Sequence, residues 1–273
     1  MEELSGRPIS EQKVQRDLET LGVARDMTLM AHSSLGSIGW VIGGASTVVR
    51  ALLRTLGDGG TLVMPAATPH CADPQTWSQP HVPEKYLAQL REHLPLFDPR
   101  TTPTSMGAIP ETFRTWPDTL RSNHPLESVC ARGLQAGKIT SEHPLAFSEG
   151  RGGPFEKLYD LDSWVLLLGV GFNRCSALHF AESLVDQRRT TTVRFPVLEE
   201  GRRQWMEVPN VADDNDTLFP IIEVEYMATG RARHGLVGNA ESALFSMRNL
   251  VDFAVERFGA LLKPRARERE SSS

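Results

Sequence analysis

The chain has 273 residues, 40% of them hydrophobic, enough to bury a core in one large α/β domain or two closely packed lobes. No apolar run approaches the roughly 20 residues of a membrane span, and the acidic start, Met1-Glu-Glu-Leu-Ser5, lacks the charged-then-apolar pattern of a signal segment, so the expectation is a cytoplasmic protein without a membrane partner. A formal charge of −5 weighs against a nucleic-acid partner and is compatible with a cationic small ligand, while three scattered cysteines with no Cys-x-x-Cys pair predict neither a disulfide framework nor a zinc site.

In chain order, 11–21 reads as an amphipathic helix with Val14, Leu18 and Leu21 on one face. Residues 27–31 form an apolar strand that ends abruptly in His32-Ser33-Ser34, and a helix over 45–56 follows a glycine-spaced loop. Gly57-Asp-Gly-Gly60 stops that helix, and 61–64 is a second apolar strand. Strand, helix and strand in this order predict a βαβ unit in a mostly parallel central sheet flanked by helices. Residues 67–106 are loop-rich, with prolines at 69, 74, 80, 83, 95, 99 and 103 and a helix near 84–93. The strongest buried strand lies in 163–169, before a helix over 176–185. Residues 190–198 and 202–208, separated by Glu-Glu-Gly, predict an additional antiparallel hairpin. An acidic loop at 213–216 precedes a helix reaching Met227, and 240–262 reads as a last helix burying Leu244, Met247, Val251, Ala254, Val255 and Phe258. The expected organisation is one domain over 1–262, with 263–273 a charged, disordered tail.

His179 opens the helix after the best strand, the place where α/β proteins put ligands. Glu182 lies one turn on, where a carboxylate would orient the imidazole and stabilise its protonated form, as a general base requires. A capping or core histidine beside a surface glutamate reads the same way, and His-x-x-Glu is common by chance. His32-Ser33-Ser34 ends another apolar strand, and its small residues offer backbone N–H groups to a phosphate or a thioester carbonyl; a serine-capped turn is the blander reading. There is no Gly-x-x-x-x-Gly-Lys-Ser/Thr loop for ATP. Asp213, Asp214, Asp216, Glu223 and Glu225 are candidates to receive a polycation, as is Asp73 in the long loop, although a charge run is more often a solvated surface. Cys175 stands four residues before His179, the spacing of a nucleophile pair, but a lone cysteine more often packs as a small apolar residue. Eight histidines form no His-x-His or His-x-x-x-His pair, and no metal is expected.

Several blocks then stand together: Leu29-Met-Ala-His-Ser-Ser-Leu-Gly-Ser-Ile-Gly39, Leu56-Gly-Asp-Gly-Gly-Thr-Leu-Val-Met-Pro65, Phe97-Asp-Pro-Arg-Thr-Thr-Pro103, Met106-Gly-Ala-Ile-Pro-Glu-Thr-Phe-Arg114, Arg121-Ser-Asn-His-Pro125, Leu166-Leu-Leu-Gly-Val-Gly171 and Leu178-His-Phe-Ala-Glu182. In this order they resemble the aminoglycoside 3-N-acetyltransferase family, with its antibiotic N-acetyltransferase fold, distinct from the GCN5-related acetyltransferases. The resemblance covers about residues 10–260. It implies acetyl-CoA as donor and a 2-deoxystreptamine aminoglycoside antibiotic as acceptor, acetylated at the 3-amino group to confer resistance. It also implies that His179 is at the reaction centre, that His32, Ser33, Ser34 and Leu35 border the CoA site, and that backbone at Ser105, Met106 and Gly107 pairs with the pantetheine arm. Carboxylates of the 213–216 loop would hold the antibiotic or the histidine. The expected site is therefore His179, Glu182 and Asp214 for catalysis, with Asp73, Glu182, Asp213, Asp214, Asp216 and Glu223 around the antibiotic. The 67–96 region is where family members differ.

The expected mechanism is general-base catalysis with direct transfer in a ternary complex, in a monomer or homodimer. Alternatives are a non-catalytic aminoglycoside-binding protein and an acyl-CoA N-acyltransferase acting on a different amine.

Overall fold

Runs that are apolar at every position need cover on both faces, and two such runs, 29–31 and 164–168, pair side by side at the middle of a sheet. In the computed structural model, which describes residues 7–212 and 215–262, the chain begins with α1 (Glu11–Leu21), β1 (Thr28–Ser33), the short α2 (Leu35–Ile38), α3 (Gly44–Leu56) and β2 (Thr61–Pro65). Then come α4 (Glu84–His93), α5 (Ala108–Arg114), β3 (Leu120–Arg121), β4 (Val129–Gly133), α6 (Ala136–Thr140), α7 (Pro154–Asp160) and β5 (Trp164–Leu168). It continues with α8 (Ser176–Ser183), β6 (Thr190–Glu199), β7 (Arg202–Val211), α9 (Phe219–Ala228), β8 (Arg233–Val237), β9 (Ala240–Ser246) and α10 (Met247–Leu261).

The seven-stranded sheet has the order β3-β4-β2-β1-β5-β9-β8. Its centre, β2-β1-β5, is parallel, as the strand–helix–strand reading requires. Antiparallel strands extend it on both sides. Side chains alternate between the two faces. Leu29, Ala31, Leu62, Met64, Leu166 and Leu168 pack against α1, α3 and α5. Met30, Val63, Val165 and Leu167 pack against α7, α8, α9 and α10. α1 shows how local signals set an element: Ser10 caps its first turn by accepting from the Lys13 N–H, and Gly22 ends it at φ 106°. Among the described residues no helix is long and apolar enough to cross a membrane.

One expected element is corrected. Residues 240–262 are not a single helix: 240–246 form β9, which carries Leu244, and α10 starts only at Met247, capped by Ser246. β9 lies between β5 and β8 and is buried on both faces, so it lacks the alternation that marks a half-exposed strand. Gly238-Asn239 joins β8 to β9 as a two-residue hairpin turn, with Gly238 at φ 62°.

The hairpin β6–β7 forms its own two-stranded sheet and buries Phe195 against Cys71 and Leu126. Its attachment is polar. His143 Nε2–H donates to the Ser148 carbonyl (2.9 Å), while its Nδ1 lies 2.9 Å from Ser122 Oγ, which also accepts the Val129 N–H. Asn210 Nδ2 on β7 donates to Ser148 Oγ at 3.2 Å. The ring of His124 lies 4.5 Å from that of His143, and its Nδ1 accepts the N–H groups of Leu126 and Glu127. Burial, and then the neighbouring His124, push His143 down to about 3, so both contacts are those of a neutral imidazole.

Asp73 belongs to the same attachment. It is buried, and its carboxylate accepts from Arg91 Nε (3.0 Å), Arg194 Nη1 (3.1 Å) and the Gln75 N–H (3.0 Å). Burial raises its pKa, but the Arg91, Gln75 and Arg194 contacts together outweigh that and leave it below the ordinary carboxylate value. The expectation that Asp73 holds the antibiotic therefore gives way to a clamp joining the long loop, α4 and β6. Asp73→Ala is expected to lower stability by about 1–3 kcal/mol, the cost of unpairing a buried charged hydrogen-bond group. Urea unfolding midpoints check this; an unchanged midpoint with a raised KM for the acceptor would return Asp73 to the substrate.

Candidate active site

The site forms at the carboxyl ends of β2, β1 and β5, three neighbouring parallel strands. After β1 the chain turns at once: Ser34 donates its N–H to the Leu168 carbonyl and caps α2. Ser34 Oγ, Ser37 Oγ and the Gly169 carbonyl form a chain with steps of 2.9 and 3.0 Å, tying the end of β1 to the end of β5. Gly169 is required there, because its φ is 69° and a Cβ would come within 2.5 Å of Ser37 Cβ. Beyond β2, the Ala67 carbonyl accepts the Ser105 N–H at 3.0 Å, and Met106 donates its N–H to Thr104 Oγ1. Gly107, at φ 100°, opens α5 with free space on the side where a Cβ would point. The segments 32–35 and 105–107, far apart in sequence, thus share one end of the sheet.

β5 leads through Gly169–Gly171 into α8, which carries His179. That ring is half-buried and meets Phe219, the first residue of α9, edge-on at 4.9 Å between centroids. His32 is 4% exposed, and it projects onto the sheet face covered by α8, as its strand neighbours Met30 and Leu167 do. Burial, and then the His179 charge, push its pKa down to about 4. The two imidazoles are thus near enough to interact electrostatically, with His32 neutral near pH 7. Glu182, one turn on from His179 along α8, is fully buried, with Arg189 Nη2 3.7 Å from its carboxylate.

The remaining candidates separate. Asp213 and Asp214 lie outside the described residues. Asp216 accepts from Asn173 Nδ2 at 3.3 Å, next to Gly171, where a Cβ would lie 3.7 Å from Glu223 Oε2. Asp216 and Glu223 are thus brought to one turn beside the site. Glu225 points elsewhere, paired with Arg257 at 2.6 Å. Cys175 is 1% exposed, and burial pushes its thiol up to about 12, so it supplies no thiolate and the nucleophile-pair reading fails.

A cavity of about 620 Å³ opens beside the end of β5, lined by Ser37, Gly169, Gly171 and Glu223 together with His234, Asn239 and Glu241. Glu241 and His234 were missed because 240–262 read as a helix; the Gly238-Asn239 pair was the signal for the hairpin that brings them in. Two carboxylates and few cations make this cavity suited to a positively charged ligand. Among the described residues no group of three His, Cys, Asp or Glu side chains is placed to hold a metal ion.

The chain is similar to known proteins over nearly its whole length. Residues 30–259 match the family described as aminoglycoside 3-N-acetyltransferase. The SPbeta prophage-derived aminoglycoside N(3')-acetyltransferase-like protein YokD of Bacillus subtilis (strain 168) is 39% identical over 92% of this chain and 93% of its own. The YokD crystal structure superposes with a TM-score of 0.89, at 38% identity, covering 93% of this chain and 94% of the other. Aminoglycoside N(3)-acetyltransferase III of Pseudomonas aeruginosa is 34% identical over 88% of this chain and 92% of its own. A structure of AAC-IIIb as a binary complex with CoASH superposes at a TM-score of 0.82, with 30% identity over 95% of this chain and all of that one (100%). Matched over nearly its whole length by these proteins, the chain is an acetyltransferase and belongs to the aminoglycoside 3-N-acetyltransferase family.

Proposed function

We propose that the chain transfers the acetyl group of acetyl-CoA to the 3-amino group of the 2-deoxystreptamine ring of an aminoglycoside antibiotic. The observation that carries this reading is the convergence of His179 with the segments 32–35 and 105–107 at one end of adjacent strands. It is supported by the CoASH complex of a structural neighbour and by the names of the relatives. The acceptor reaches the site as an ammonium ion, drawn by Glu223, Glu241 and Asp216, and loses one proton to water before it reacts. His179 takes the second proton as nitrogen bonds to the thioester carbon, directly or through one water. Imidazole suits this step because its ordinary pKa is close to neutral. The carbon–sulfur bond then breaks and the proton on His179 passes to sulfur, leaving an amide and the CoA thiol with no covalent enzyme intermediate. Glu182, buried one turn behind, orients the ring and offsets its transient charge. The product has lost a cationic group, which weakens any target contact that used it and confers resistance.

Thiol release from acetyl-CoA, followed with a chromogenic disulfide, tests the reading. Release should require a gentamicin-, kanamycin- or neomycin-type acceptor, and the acetylated nitrogen should be the 3-amino group by NMR. Antibiotic binding without thiol release would make the chain a sequestering protein, and release only with unrelated amines would move it to a different acceptor.

A further inference from the structure

His32 stands apart from the other groups at the strand ends. Its side chain lies on the face of β1 that α8 covers, and its Nε2 is closed off from solvent with no hydrogen-bond partner among the described residues. Buried polar atoms are almost always paired, and leaving one unpaired destabilises the fold. Such an atom persists where something that binds completes it. The ring keeps a residual 4% opening, and His179 is near enough to act on it electrostatically. A neutral imidazole in that position offers one N–H donor, and it does not compete with His179 for the proton. An uncharged histidine polarises a carbonyl in this way without becoming a cation itself.

We propose that His32 is a further catalytic residue, donating a hydrogen bond from Nε2 to the carbonyl oxygen of the bound acetyl thioester. As the acceptor nitrogen bonds to the carbonyl carbon, the negative charge that develops on that oxygen is met by this donor, which seating of the thioester against the ring uncovers before the chemical step. His179 and His32 then divide the work: one removes the proton from nitrogen and the other holds the oxygen. This rests on the acetyl-transfer reading above.

The test combines kinetics with the infrared carbonyl band of acetyl-CoA labelled with ¹³C at the acetyl carbonyl. His32→Phe is expected to lower kcat by about 10²–10³-fold, the range for loss of one oxyanion donor, with the Kd for acetyl-CoA changed less than about threefold. His32→Gln, which keeps an N–H at similar reach, is expected to recover at least about tenfold of that loss. The bound carbonyl band is expected at lower frequency than in free acetyl-CoA in the wild type and in His179→Ala, and back at the free value in His32→Phe. Near-UV circular dichroism confirms that each variant is folded, and His32→Asn replaces the Phe variant if that one is not. A Phe variant with kcat within about threefold of wild type, or a band at the same frequency in wild type and Phe variant, overturns the assignment. A wild-type chain that gives no bound band at all overturns the acetyl-CoA reading beneath it, and the two failures are thereby distinguished.

Discussion

Replacing His179 with alanine is expected to lower kcat by about 10²–10⁴-fold, the usual loss for a general base, while the Kd for acetyl-CoA stays within a few-fold. The reason is geometric: the ring meets Phe219 edge-on, and among the described residues no hydrogen bond ties it to the 32–35 or 105–107 segments. Steady-state thiol release with the variant checks this. Turnover close to wild type would remove His179 from the chemistry, and a parallel collapse of acetyl-CoA affinity would make it a structural support of the cleft instead. The residual rate of the alanine variant is expected to rise with pH, because a larger fraction of the acceptor amine is then already unprotonated.

The second large effect is on stability in mild acid. His32 and His143 have folded pKa values pushed down by burial to about 4 and about 3, while the unfolded chain protonates them near 6.5. Between those values the unfolded state binds more protons, so stability rises with pH. Their contribution is fully present above about pH 6.5 and is lost as pH falls toward the folded values. At pH 5 each of the two costs about 2 kcal/mol, and together they reach a large part of the ~5–15 kcal/mol that holds a typical domain. The depressed carboxylates Asp73 and Glu111 act in the same direction, but their contribution falls away only as pH drops below their ordinary values near 4, so the interval from pH 7 to pH 5 isolates the histidines. Urea unfolding across that interval should show the midpoint falling, and His143→Gln should flatten the dependence. A midpoint independent of pH from 7 to 5 would show that these imidazoles are solvated in the folded chain.

What could be read without coordinates was whatever is written locally. The Val14-Leu18-Leu21 stripe, the Gly57–Gly60 stop and the unbroken apolar run around Val165 each specify an element through spacing or backbone freedom, and the structure contains all three. The position of His179 was legible for the same reason, on the helix just past the strongest strand, where strand ends in an α/β sheet gather ligands. Position along the chain, however, says nothing about which side chains meet across it. Asp73 looked like a free carboxylate until Arg91 and Arg194 arrived from α4 and β6. β9 looked helical because it is covered on both faces, and burial on both sides erases the alternation that betrays a strand. With β9 misread, Glu241 and His234 had no route to the cavity wall. His32 read as the rim of a cofactor loop, and only the strand pairing turns it toward the helix that carries His179, with a buried nitrogen unpaired among the described residues. Sequence alone thus determined the periodic elements and the residue types available for chemistry; long-range packing decided their partners, because burial and charge pairing act across distances that no local spacing encodes.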